Sequence, residues 1–595
     1  MRIRGRGHVR CARVLLAVAT ALTGLVAIPA PQAVHAETTL RAGCRGPSNS
    51  IALADALLVN RYSLASHPVA TLPANPAWNE DPFNSRNWEF NYHSLRFVLW
   101  LTTAWADTGD QRYLDRATFL LYDWYRDNPR SAPRDVMAWN DHATAWRAMV
   151  YVCAAEILPP VTWLTTSLNR HGSTLADSAF YRSDGGNHAL NQDVGLLEVG
   201  CYLDRADWMS LATKRLTSLV ERSVDAYGVS NEQAIYYQLY NYQRYQYARS
   251  RFTECGQTLG SAFDRVDRMP LFLAHATMPD GNYVPIGDTQ AAPAVAIAGT
   301  PAEFTARQGT SGPKPTTTYR IHGAGYAFMR TGWGEDRPYA DETMATVRFG
   351  PARVFHGHRD GGAVTLYGYG KQLLLDAGMY TIEAGSYRSY FVGRSAHNVV
   401  TVDGGVLRTT AATLLRWRRT SDTLVEVALT GQPYSGVTAN RRVVFSRPSG
   451  YLIVDDQLRS TTSRTFRQLW HLRESSSPII SGTRAWTRAA RSNVMIVQVV
   501  APTATRIITG STSPIQGWIS YRVFKRLAAP VVESRRAGTN VRFLTLLVPY
   551  ESTKPSVTVS NVSLTSTGYS LTVTVDGKRE RVVATSLSSS ISPLP

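Results

Sequence analysis

Between Glu37 and about Ile297, apolar positions recur at spacings of three and four. Leu114, Ala117, Leu121 and Trp124 line one face of such a segment, and the Asp107-Thr108-Gly109-Asp110 turn before it separates two segments in the manner of a helical hairpin. Similar faces recur over 143–157, 194–202, 208–220 and 236–248. A run of helical hairpins over residues 37–298 predicts an α-solenoid, or a toroid if it closes. Residues 299–319 are rich in Thr, Pro and Gly without a period, which predicts a connector.

Beyond the connector the period becomes two. Thr423 to Leu429 alternates, residues 442–445 and 451–454 flank Pro448-Ser449-Gly450 as a hairpin, and 493–500, 541–548 and 570–575 continue the style. Residues 320–585 are therefore expected to form a large antiparallel β domain, a sandwich, which makes the chain a multidomain α + β protein. The Ser-rich stretch 586–595 reads as a loose, flexible tail.

Residues 1–36 stand apart from this pattern. Five arginines (Arg2, Arg4, Arg6, Arg10, Arg13) precede an apolar run from Val14 to Pro29, and Val34-His35-Ala36 supplies the small residues of a signal-peptidase site. The expectation is a secretory signal peptide and a secreted, extracellular protein. The run contains Thr and Gly and falls short of about 20 apolar residues, which disfavours a membrane anchor, and no other segment could span a bilayer.

Composition adds three points. With 44% hydrophobic and 18% charged residues over 595 positions, the chain is neither disordered nor fibrous. Subtracting the five leader arginines from a net charge of +18 leaves +13, a balance that suits an acidic partner. Only six of the 63 basic residues are lysines, and arginine favours bidentate contacts with carboxylates, sulfates or phosphates, although a genome-wide arginine bias would look the same. Cys44, Cys153, Cys201 and Cys255 remain after the leader and permit two disulfides in three connectivities; buried thiols at Cys153 and Cys201 are the alternative.

The densest polar constellation runs from Phe355-His356-Gly357-His358-Arg359-Asp360 through Asp376 to Ser395-Ala396-His397-Asn398. Histidines at i and i+2 on an extended segment share a face, and Asp376 and His397 could close a site from neighbouring strands, giving a His2Asp metal set by residue type. Loop histidines with ordinary hydrogen bonds are the competing reading. A second cluster, Gly185-Gly186-Asn187-His188, places glycines before a polar pair at a helix start; Asn187 could equally be an N-cap. A third, Asn231-Glu232-Gln233-Ala234-Ile235-Tyr236-Tyr237-Gln238-Leu239-Tyr240, is aromatic, and most of its tyrosines must be packing or platform residues.

In this order the clusters resemble the heparinase II/III-type polysaccharide lyases, a family that includes alginate, heparin and heparan sulfate lyases. The resemblance rests on Ala138-Trp139-Asn140-Asp141-His142 through Arg147, Asn187-His188, Glu232-Gln233 with Tyr237, Pro285-Ile286-Gly287-Asp288, Gly325-Tyr326 with Arg330, and the His356 to Asp403 block. It spans about Asp135 to Gly404 in patches and implies an incomplete α/α toroid followed by an antiparallel β-sandwich domain. Gln238 departs from the pattern, because many relatives carry a histidine there.

The implied reaction is β-elimination in a uronate-containing acidic polysaccharide. It requires that the uronate carboxylate be neutralised, that a base remove the C5 proton and that an acid protonate O4. By resemblance, Asn187 and His188 would hold the carboxylate, Tyr237 would act as acid and base, and His356 would be its partner proton carrier. His142 and Arg147 would line the cleft with Tyr390 and Arg394, while His358, Asp376 and His397 would hold a structural zinc. No organic cofactor is implied. The rival classes are a glycoside hydrolase, for which Glu232, Asp288 and Asp360 sit in separate patches, and a non-catalytic polysaccharide-binding protein. Nucleic acid is not an expected partner of an exported chain without a nucleic-acid motif.

Overall fold

The structure is a computed structural model that describes residues 39–184, 186–420 and 423–595. The expected signal peptide lies outside the described residues.

The N-terminal half is built from α1 (Ser50–Leu58), α2 (Arg86–His93), α3 (Val98–Thr108), α4 (Gln111–Asp127), α5 (Asp141–Ala155), α6 (Thr162–Ala176), α7 (Asn187–Tyr202), α8 (Ala206–Ser223), α9 (Ile235–Glu254) and α10 (Met269–Ala276). The expected hairpin turn joins α3 to α4. Gly109 ends α3 in the left-handed region at φ 73°, and the Asp110 side chain caps α4 by accepting from the Arg112 amide. α4 then buries Leu114, Ala117, Leu121 and Trp124. Adjacent helices pack as a toroid, with α7 the most enclosed: Ala189 to Gly200 is buried without interruption, so it shows no polar face.

Two disulfides fasten this domain. Cys44–Cys153 ties the segment before α1 to α5, and Cys201–Cys255 ties the end of α7 to the residue after α9. The buried-thiol reading of Cys153 and Cys201 is thereby set aside. Closing loops of 109 and 54 residues removes unfolded-state entropy equivalent to about 4–5 kcal/mol each.

The connector contains α11 (Pro301–Ala306), a correction to the expectation of an aperiodic linker. Pro301 begins the helix where its missing N–H costs nothing, and buried Phe304 anchors it against Trp333 and Tyr339.

The β domain is a sandwich with a third layer. A five-stranded antiparallel sheet spans Tyr319–His322 to Lys371–Leu374, a ten-stranded sheet is centred on Leu452–His471 and Pro530–Tyr550, and a four-stranded sheet spans Val557–Thr565 to Ser589–Leu594. The middle sheet is covered on both faces. Val443, Phe445, Leu452 and Val454 pack toward the first sheet, whereas Val444 and Ile453 pack toward the third. This explains the unbroken apolar runs of the hairpin, whose register pairs Phe445 with Leu452 and Arg442 with Asp455. A short helix, α12 (Ser386–Val392), follows the first sheet.

The tail expectation is corrected too. Ser589–Leu594 is an edge strand paired with Lys578–Ala584, and Ile591 is buried against Val582. Ladder hydrogen bonds to an existing strand order a sequence whose own β propensity is low.

The two domains meet through an apolar seam. Ile235 and Leu239 of α9, with Phe272, Leu273 and Ala276 of α10, pack with Tyr326, Phe328, Met344 and Tyr367 of the first sheet. The cleft lies beside this seam.

Candidate active site

Three helix N-termini converge on the cleft. Asn140 caps α5 by accepting from the amides of His142 and Ala143, which places Asp141 and His142 in the first turn. Gly186, at φ 83°, precedes α7 and leaves Asn187 as its first helical residue rather than its cap. Tyr236 and Tyr237 occupy the first turn of α9. Several first-turn amides are already taken, by Asn140, Glu232 and Thr289, so what the three termini bring to the cleft is chiefly the partial positive charge of the helix dipole, which favours an anion.

Side-chain hydrogen bonds fix the groups on these turns. Asn187 donates its backbone amide to Glu232 Oε1 at 2.7 Å and its side-chain amide to Glu232 Oε2 at 3.0 Å, and Asn241 Nδ2 donates to the same carboxylate at 3.1 Å. His188 Nδ1 lies 2.8 Å from Asp141 Oδ2, so the carboxylate orients the imidazole and leaves Nε2 free of that bond. The His142 ring lies against His188, with centroids 4.2 Å apart and planes tilted by 33°. His142 Nε2 accepts from Trp146 Nε1 at 3.1 Å and lies 3.0 Å from Asn191 Nδ2. Burial, reinforced by the positive charges of His188, Arg96 and Arg244, holds His142 well below its ordinary pKa, so it is neutral.

His356 reaches this cluster from the β domain. Its ring stacks on Tyr237 with centroids 3.5 Å apart and planes 8° from parallel. His356 Nδ1 lies 3.1 Å from Asp288 Oδ2, and Nε2 lies 3.6 Å from Glu232 Oε2. Asp288 is fully buried and shared: His358 Nε2 lies 3.0 Å from its Oδ1, and Arg388 Nη2 donates to its Oδ2 at 2.9 Å. Burial alone would raise the Asp288 carboxyl, but the hydrogen bonds from His356, His358 and Arg388 hold it well below the usual carboxylate range. For Tyr237 burial and the charges of Glu232 and Asp288 act together, raising its hydroxyl well above 10. The loop carrying His356 approaches closely: Gly287, at φ 65°, sits where a Cβ would fall 2.9 Å from the His356 carbonyl oxygen, so glycine is needed there.

Behind this centre, His358, Asp376 and His397 each offer one ligand atom, and these atoms lie within 4.8 Å of one another. All three residues are buried, and His358 Nδ1, Asp376 Oδ1 and His397 Nε2 have no hydrogen-bond partner in the protein. Buried polar atoms left without partners are costly. Two imidazoles and a carboxylate match the donor set of zinc, so these residues fit a structural metal. Asp288 on the far nitrogen of His358 is the outer carboxylate that such a histidine ligand commonly has.

The structure therefore brings Asn187, His188, Tyr237, His356 and His142 to one cleft. It places the other expected substrate contacts elsewhere. Arg147 is a correction: it is fully buried in the toroid core, 3.6 Å over the Trp124 ring, donating to His93 O at 2.7 Å and His171 Nε2 at 2.9 Å. Tyr390 is another, because its ring packs with Ala377 and Ala396 and its hydroxyl accepts from the Gly517 amide at 3.2 Å. Arg394 is the third: it is buried in the β domain and donates to the carbonyls of Gly361 and Val400. Gln238 faces away from the cleft and braces the preceding loop, accepting from Ser230 N at 2.8 Å and donating to Gly228 O at 2.6 Å, so its departure from the family pattern does not touch the centre. Glu232 and Asp288, expected in separate patches, instead flank His356. Arg388 carries no motif, and its role is visible only through its contact with Asp288.

The fold and cleft define a helical toroid joined to an antiparallel β-sandwich, with its candidate centre at the junction. Residues 314–540 match the family model described as heparinase II/III-like, C-terminal. No curated protein sequence matches the chain. Among solved structures, it is similar to heparinase III, with a TM-score of 0.78 and 17% identity over 92% of this chain and 93% of that one. It is also similar to the heparan sulfate lyase HepC from Pedobacter heparinus, with a TM-score of 0.68 and 20% identity over 91% and 90%. A chondroitin AC lyase from Streptomyces coelicolor A3 in complex with chondroitin sulphate gives 0.53 and 10% over 90% of both chains. At these identities the likeness is one of fold.

Proposed function

We propose that this protein is a polysaccharide lyase that cleaves a uronate-containing acidic polysaccharide by β-elimination. The observation that carries the reading is the stacked Tyr237–His356 pair beside Asn187 and His188, in a cleft faced by three helix N-termini. The similar solved structures named as heparan sulfate and chondroitin lyases support it.

In this reading Asn187 and His188 bind the uronate carboxylate and lower the cost of charge at C5. His356 donates Nδ1–H to Asp288, which leaves the Nε2 lone pair to take the C5 proton, and Glu232 stabilises the imidazolium that forms. Tyr237 keeps its proton at neutral pH because of its raised pKa, and delivers it to O4 as the C4–O4 bond breaks. The products are a C4–C5 double bond on one fragment and a hydroxyl on the other. A metal held by His358, Asp376 and His397 would supply structural rigidity to the loop that carries His356.

The hydrolase reading needs two accessible carboxyl groups. Glu232 and Asp288 are the acidic pair of this centre, and both are enclosed and engaged by amide, imidazole or guanidinium donors. Export is part of the proposal: the arginine-rich apolar leader and two disulfides both suit a secreted protein. Incubating the protein with alginate, glucuronan, hyaluronan, heparin and heparan sulfate should give, on at least one polymer, the ultraviolet absorbance of unsaturated uronate ends. Absence of that signal on all of them would defeat the reading.

A further inference from the structure

One pair of charges in the cleft has no part in the chemistry above. Arg96, after α2, and Arg244, on α9, both place their guanidiniums over the Trp146 indole, at 4.7 and 4.5 Å from the ring centroid. Neither has a carboxylate within 4 Å among the described residues. Arg96 Nη2 donates to Asn91 Oδ1 at 2.5 Å, and Arg244 Nη2 meets only the Met149 sulfur at 3.5 Å. The Nε of each is buried without a partner. Arg441 and Arg251, by contrast, are matched by the carboxylates of Asp456 and Glu198.

Two guanidiniums on one ring repel each other, and both are pushed below the ordinary arginine pKa, chiefly by burial. An anion placed between them would relieve that repulsion and take up the free donors. The pair also adjoins the centre: Trp146 Nε1 donates to His142, whose ring stacks on Phe90 and lies against His188. Asn191 Nδ2 bridges His142 to the Tyr240 hydroxyl, and Tyr240 neighbours Tyr237 with ring centroids 6.1 Å apart.

We propose that Arg96 and Arg244, set on Trp146, form a subsite for an anionic substituent, a carboxylate or sulfate, on a sugar adjoining the one that is cleaved. This rests on the lyase reading for the position of the scissile bond, but the anion site itself does not. Paired forks held on an indole platform suit a planar carboxylate or a sulfate.

The test is calorimetric binding, in a Tyr237→Phe background that removes turnover, of alginate, which carries carboxylates alone, and heparan sulfate, which carries both groups. The Arg96→Gln/Arg244→Gln pair should bind at least about tenfold more weakly, as expected for loss of charge-assisted hydrogen bonds. Equal losses on both polymers identify a carboxylate, and a loss confined to heparan sulfate identifies a sulfate. An Arg96→Lys/Arg244→Lys pair, which keeps charge but loses the forks, guards against misfolding of the Gln pair and should bind between it and the parent. Unchanged affinity in variants that melt like the parent, or a parent that binds neither polymer, overturns the subsite. If no polymer is cleaved by the wild-type protein while the variants still lose affinity, the subsite stands and the lyase reading falls.

Discussion

Four donor atoms from His356, His358 and Arg388 converge on the two oxygens of Asp288. Its depressed pKa means that the folded state binds this proton less tightly than the unfolded chain, where an aspartate titrates near about 3.9. The resulting stability is complete above that value and is lost as pH falls through the folded pKa. Asp288→Asn should therefore flatten the fall of melting temperature below about pH 4, and should cost about 10²-fold or more in kcat at neutral pH because His356 loses its orienting partner. An unchanged kcat would separate Asp288 from the chemistry. The two histidines on this carboxylate differ in exposure, 24% of the His356 side chain against none of His358. His356→Ala should lower turnover about 10²- to 10⁴-fold with the melting temperature kept. His358→Ala should lower the melting temperature and any bound metal measured by elemental analysis. A stable, inactive His358→Ala beside an active, destabilised His356→Ala would exchange the two roles.

At the scale of elements, the helices were legible because most bury one face, as α4 does, and the hairpin at Pro448 was legible from its turn residues. The third layer was not. Alternation over 423–429 looks like one wet and one dry face, yet Leu424 to Leu429 is wholly buried, because Glu426 is enclosed by Arg416 and Arg442 beneath the last sheet. The terminal strand was illegible for a related reason: serines carry no apolar pattern, and only the partner strand reveals their order. Deleting residues 586–595 should cost about 2–4 kcal/mol in urea unfolding, since it removes the buried Ile591 and the Ser589 hydroxyl that donates to Glu426. A truncated protein as stable as the parent would show that strand to be dispensable. In the site, Asn187, Tyr237 and His356 stood in readable motifs. Arg388 did not, because a contact with a residue 100 positions away leaves no local pattern. Arg147 misled for the opposite reason: its motif is real, but the helix turns it inward onto Trp124.

Across the whole molecule, the apolar seam between α9, α10 and the first sheet holds Tyr237 and His356 in register, although one belongs to the toroid and the other to the sandwich. The centre exists only where the domains join, and everything proposed about it turns on whether the bond breaks by elimination or by hydrolysis. Mass spectrometry of the products formed in heavy-oxygen water decides between them. The account predicts fragments whose masses sum to that of the substrate, one bearing an unsaturated uronate, with no label incorporated. Fragments that are all saturated and carry one labelled oxygen per cleavage would contradict it.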